Sequence, residues 1–122
     1  MSTGTGRFRR TDRLLRSRDF RHVAGQGTRA AERYFVVLAV PTPDSSQQKV
    51  TRVGITVSRR VGGAVARNRL KRRIREWFRG ARAGLRPGMD IVVIARRGAA
   101  ELAGYQVEDE LGRLVKSVEA SR

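Results

Sequence analysis

Residues 52–78 read RVGITVSRRVGGAVARNRLKRRIREWF. The period of the stretch changes halfway. In its first part Arg52, Gly54, Thr56 and Ser58 alternate with Val53, Ile55 and Val57. That twofold repeat belongs to a strand with one face in a core and the other face open and polar. After Arg67 the apolar positions fall at Leu70, Ile74, Trp77 and Phe78, which span roughly 100° of a helix, the width of a core-facing side. A strand, a loop with glycines at 62 and 63 and an amphipathic helix therefore follow one another, and such a unit needs a sheet for the helix to cover.

The other side of that helix is charged almost throughout. Its polar arc holds Lys71, Arg75, Asn68, Arg79, Arg72, Glu76, Arg69 and Arg73, with one acid among them. Crowding like charges three and four residues apart costs an isolated helix about 0.2 to 0.5 kcal/mol per pair. Neutralising phosphates with release of their counterions accounts for keeping such a face. Two readings compete with it. One is a solvated face of an arginine-rich protein; the other is a helix lying on a membrane surface, which conflicts with the need for Trp77 and Phe78 to cover the sheet.

Outward from this unit, YFVVLAV at 34–40 is β-branched and aromatic and ends at Pro41, so it predicts a buried strand, with 41–51 a surface connection. Gly80, Gly84 and Pro87-Gly88 break the chain before a strand DIVVIA at 90–95. Val107, Leu111, Leu114, Val115 and Val118 form the stripe of a closing helix. Upstream, Leu14, Leu15, Phe20 and Val23 mark a short first helix, with Ser17 as cap and Gly25 as stop. Gln26 to Arg33 leaves room for a brief strand. Residues 1–10 predict a flexible basic arm, and 11–119 a single α+β domain.

Composition sets the class of partner. The 122 residues carry 27 Lys or Arg against 11 Asp or Glu, a formal charge of +16, which attracts polyanions and repels other copies of the chain. Twenty-four of those bases are Arg, whose planar fork suits phosphate. There is no cysteine to build a disulfide framework or thiolate metal site. No apolar run approaches the roughly 18 residues of a membrane span, and MSTGTGRFRR lacks the apolar stretch of a secretory signal. The expectation is a soluble, cytoplasmic chain with a nucleic-acid partner and no membrane.

No protein active site is legible. A metal-dependent nuclease needs convergent carboxylates, and these are scattered. The run Glu108, Asp109, Glu110 is consecutive, so its members point different ways around a helix near its N-terminus. His22 stands alone, and no Ser, His and acid set appears. Phe20, among Arg16, Arg18 and Arg21, is open to two roles, core residue or stacking platform for a base.

Charge does not separate DNA from RNA. The motifs do: the VGITVS strand, the G-x-A-V-x-R-N-R loop and the RNR-x-K-R helix start at 52–78 resemble the signature of the protein component of bacterial ribonuclease P. RLLRSRDFRHV, the strand from Arg33 to Val40 and DIVVIARR at 90–97 match in order and spacing, so the resemblance covers about residues 11 to 118. It implies an α/β sandwich of three helices on a four-stranded mixed sheet, in the order αβββαβα with a left-handed βαβ crossover, a hand found in only about 2% of such connections. It implies a catalytic RNA subunit as partner, one protein per RNA, precursor tRNA as substrate, removal of its 5′ leader, and Mg2+ held mainly by the RNA. By position, Arg67, Asn68, Arg69, Lys71 and Arg72 would contact the RNA subunit. Phe20, Arg52, Thr56, Ser58, Arg59, Arg60, Arg96 and Arg97 would bind the leader. Ala24 and Leu38 stand where the family often places aromatics, with Tyr34 or arginine planes as substitutes. A ribosomal or other structural RNA-binding protein is the alternative that charge and size allow, and a free-standing nuclease is a third reading.

Overall fold

The computed structural model describes residues 17–41, 51–85 and 87–120. Leu14, Leu15 and the basic arm lie outside them. The chain order is α1 (Ser17–Gln26), β1 (Thr28–Ala31), β2 (Phe35–Pro41), β3 (Arg52–Val57), α2 (Ala64–Ala81), β4 (Met89–Ala95) and α3 (Gly104–Ala120), with 3-10 turns at Arg59–Val61, Arg82–Gly84 and Ala99–Glu101. The expected order and the brief strand before β2 are both present.

The strands form one sheet in the order β1-β2-β4-β3. β2 pairs antiparallel with β1 and β4, while β3 and β4 run parallel and are joined through α2. Burial explains why the two central strands show no alternation in sequence. Phe35, Val37 and Ala39 of β2, with Met89, Ile91, Val93 and Ala95 of β4, enter the main core. Val36, Leu38, Val40 and Val92 belong to a second cluster on the opposite face, closed by Val23 of α1. Strands covered on both faces read as continuous apolar runs. β3, at the edge, keeps the alternation: Val53 and Val57 are in the main core and Thr56 is exposed.

α2 and α3 cover the main core. Leu70, Ile74, Trp77 and Phe78 of α2 are buried, as are Val107, Leu111, Leu114, Val115 and Val118 of α3. A buried Ile to Ala change of this kind costs about 2 to 5 kcal/mol.

Three helix boundaries differ from those expected. α1 runs through Gly25, and Gly27 ends it: the Gly27 N–H donates to the Val23 carbonyl at 2.7 Å. A Cβ there would sit 2.4 Å from that oxygen and 3.2 Å from the Ala39 carbonyl of β2. Close backbone approach, not the turn alone, requires glycine at this point. α2 begins at Ala64, three residues before the expected start, because Gly63 is extended and its carbonyl accepts the Arg67 N–H at 2.9 Å. Gly80 lies inside the last turn of α2 and does not break it. None of the described helices is long and apolar enough to cross a membrane.

Candidate nucleic-acid interface

Register gathers the basic residues at one end of the sheet. Phe35, Ala95 and Val57 share a row at the last residues of β4 and β3. From that row the chain leaves through Ser58, Arg59 and Arg60 on one strand and Arg96 and Arg97 on its parallel neighbour. The carboxyl ends of neighbouring parallel strands are where open α/β sheets commonly bind ligands. Here Ser58, Arg60, Ala95, Arg96 and Arg97 line a concavity of about 510 Å³. Arg59, Arg60, Arg96 and Arg97 are exposed. Three guanidinium groups and a hydroxyl around one hollow make a site for phosphate oxygens.

α1 lies on the same sheet face as Gly54 and Thr56, over β2 and β4; on β3, Thr56 is exposed and Gly54 is buried. Phe20 is half-buried: it packs with Ile94 against the second cluster while part of its surface faces solvent. Ala24 is exposed and Leu38 is buried beneath α1.

Arg52 is not brought to this group. It stands at the other end of β3, six residues or about 20 Å along the strand from Ser58. Its Nε and Nη2 donate to the two carboxylate oxygens of Asp90 at 2.9 and 2.7 Å. The Asp90 side chain is fully buried, and that of Arg52 is 25% exposed. A buried carboxylate needs this partner, and breaking such a pair costs about 3 to 5 kcal/mol. Tyr34 is not in the cleft either. It packs against the main core, on the side of α2 and α3, with the Arg33 guanidinium 5.4 Å from its ring centroid. Its place as a substitute stacking platform is therefore not supported.

The second basic array is the outward side of α2, whose first turn starts from the same end of the sheet. Asn68, Arg69 and Arg72 are exposed, and Lys71 is half-buried on the flank. Two arginines of this helix serve the fold. Arg67 Nε donates to the Gly62 carbonyl at 3.1 Å, holding the loop ahead of the helix. Arg73 Nη1 donates to the Leu102 carbonyl at 2.7 Å and ties α2 to the approach to α3. Sequence pattern placed Arg73 on the solvated arc, and no local signal marks its distant acceptor.

The acids lie elsewhere. Arg113 of α3 donates to Asp109 at 2.8 Å and to Glu32 at 3.1 Å. Burial, then the Glu32 carboxylate, raises the Glu110 carboxyl above its ordinary range; Arg113 opposes this and Asp109 adds to it. That cluster sits on α3 and the β1–β2 connection, and does not line the concavity. Among the described residues no three His, Cys, Asp or Glu side chains are grouped to hold a metal ion.

The family model described as Ribonuclease P matches residues 8–119. The ribonuclease P protein component of Desulforapulum autotrophicum is 41% identical over 115 residues, covering 94% of this chain and 95% of that one. That of Shouchella clausii is 38% identical over 109 residues, covering 89% and 87%. Among solved structures, the RNase P protein of Staphylococcus aureus superimposes with a TM-score of 0.76 at 33% identity, covering 86% of this chain and 93% of that chain. The RNase P protein of Thermotoga maritima gives 0.75 at 35% identity, covering 87% and 96%.

Proposed function

The chain belongs to the ribonuclease P protein family, and from that premise we infer how its two basic arrays divide the work. It is the protein subunit of ribonuclease P, the endoribonuclease that removes the 5′ leader from precursor tRNA. The outward side of α2, with Asn68, Arg69, Lys71 and Arg72 and with Arg67 at its base, binds the RNA subunit. The concavity at the end of the sheet, with Ser58, Arg60, Arg96 and Arg97 and with Arg59 beside it, binds leader phosphates, and the face that carries Thr56 and Phe20 receives leader bases. Arg52, engaged by Asp90, forms the floor of that face at its far end.

One observation supports this division above the others. The exposed arginines of α2 and those of the concavity start from one end of the sheet but occupy different surfaces, so two RNA strands can be held at once. The RNA subunit carries the catalysis, and the protein supplies charge and position. Mg2+ bound to the RNA would activate the attacking water and stabilise the leaving oxygen. One protein binds per RNA, and the complex acts in the cytoplasm.

Reconstitution tests the reading. Protein and RNA subunit together, with Mg2+, should cleave precursor tRNA at the leader junction, and protein alone should not. Specific cleavage by stringently purified protein alone would overturn the assignment of chemistry to the RNA. Tight RNA binding with no effect on processing would favour a structural RNA-binding protein.

A further inference from the structure

We propose that Tyr34 and Gly98 form a brace that presets Arg96 for the leader's phosphates, which makes Tyr34 a positioning residue for substrate binding although it lies outside the concavity. The proposal rests on the reading of Arg96 as a leader contact.

An exposed arginine is a poor phosphate ligand until its side chain is held, since ordering it costs rotamer entropy. Arg96 is held at three atoms. Its N–H donates to the Tyr34 carbonyl at 2.8 Å. Its own carbonyl accepts the Ala99 N–H at 3.1 Å, closing a turn over Arg97 and Gly98. Its Nη1 donates to the Glu32 carbonyl at 2.9 Å. The remaining guanidinium N–H groups are left for an anion in the hollow that Arg96 lines with Arg60 and Arg97.

Gly98 makes the turn possible. Its φ of 91° and ψ of −16° are the values a type II turn needs at its third residue. A Cβ on Gly98 would lie 2.9 Å from Tyr34 Cε1 and 3.3 Å from Cδ1, so the ring packs against the glycine backbone itself. Tyr34 thus meets this turn twice, through its carbonyl and through its ring. The Glu32 side chain does not quench the site. The Glu32 carboxylate is directed to Arg113 at 3.1 Å, and Arg96 receives only the neutral carbonyl of that residue, so its charge stays available.

The test uses reconstituted holoenzyme and compares affinity for precursor and mature tRNA. Losing one charge-assisted phosphate contact should make Arg96→Ala bind precursor about tenfold more weakly while mature tRNA, which has no leader, hardly changes. Tyr34→Ala and, independently, Gly98→Ala should each lose about threefold with the same selectivity. Tyr34→Phe should keep wild-type values, and Tyr34→Ala should add nothing in an Arg96→Ala background. If Tyr34→Ala weakens both tRNAs equally, or adds its full factor to Arg96→Ala, the residue merely supports the fold and the brace is wrong. If Arg96→Ala lowers the precursor-to-mature ratio but neither brace variant does, the brace alone is overturned. An unchanged ratio in Arg96→Ala removes the leader contact and the brace with it.

Discussion

Phe20 stands between the two roles open to it. Its ring packs beside Ile94 on the cluster of Val23, Val36, Leu38, Val40 and Val92, yet it is only half-buried. Phe20→Ala should therefore cost less than the roughly 3 to 5 kcal/mol of a fully buried phenylalanine. It should also weaken precursor tRNA by about 1 to 3 kcal/mol, the worth of one stacked base, and leave mature tRNA nearly unchanged. Melting temperature beside the precursor-to-mature ratio reads both. A large loss of stability with an unchanged ratio would make the ring core alone. Arg52 gives the opposite expectation, because its fork is engaged by buried Asp90. Arg52→Ala should destabilise the fold by about 3 to 5 kcal/mol in denaturant titration, whereas replacing both partners with apolar residues of similar volume should be far milder. A mild single variant would show the pair to be dispensable. The alternation at 52–58 told which face Arg52 is on, but not that Asp90, 38 residues away, stands opposite it. That fact needs the β3–β4 register, which no local pattern carries.

At the scale of elements, α2 separates arginines exposed to solvent from arginines that build the fold. Arg69 and Arg72 are exposed with no ion pair among the described residues, and Arg73 is tied to the Leu102 carbonyl. Binding of the RNA subunit, measured against salt, should lose about one unit of log-log slope in Arg69→Ala and in Arg72→Ala. Arg73→Ala should lower the melting temperature with a smaller change in slope. Equal slopes in wild type and in both of the first two variants would return this face to mere solvation. The core side of the helix was legible because Leu70, Ile74, Trp77 and Phe78 repeat at helical spacing. Its start was not, since the extended Gly63 sets it through backbone geometry. The roles of Arg67 and Arg73 were hidden because their acceptors are main-chain carbonyls, which no side-chain pattern marks. The strands followed burial, with β2 and β4 readable as continuous runs and β3 as alternation.

Across the whole molecule, charge is sorted as well as abundant. α2 carries seven bases and one acid, and α3 carries four acids and two bases. Arg59, Arg60, Arg96 and Arg97 share the end of the sheet from which α2 starts. A body with +16 formal charge would hold RNA over much of its surface by attraction alone; sorting of this kind would give the RNA subunit and the leader separate places. One measurement tests the division of labour between the two basic arrays. Holoenzyme carrying Arg60→Ala and Arg97→Ala should be titrated with precursor and mature tRNA, with the protein's affinity for the RNA subunit determined under the same salt. The precursor-to-mature ratio should fall at least tenfold, from two lost phosphate contacts, with RNA-subunit affinity little changed. A ratio that stays at the wild-type value while RNA-subunit affinity falls would contradict this division.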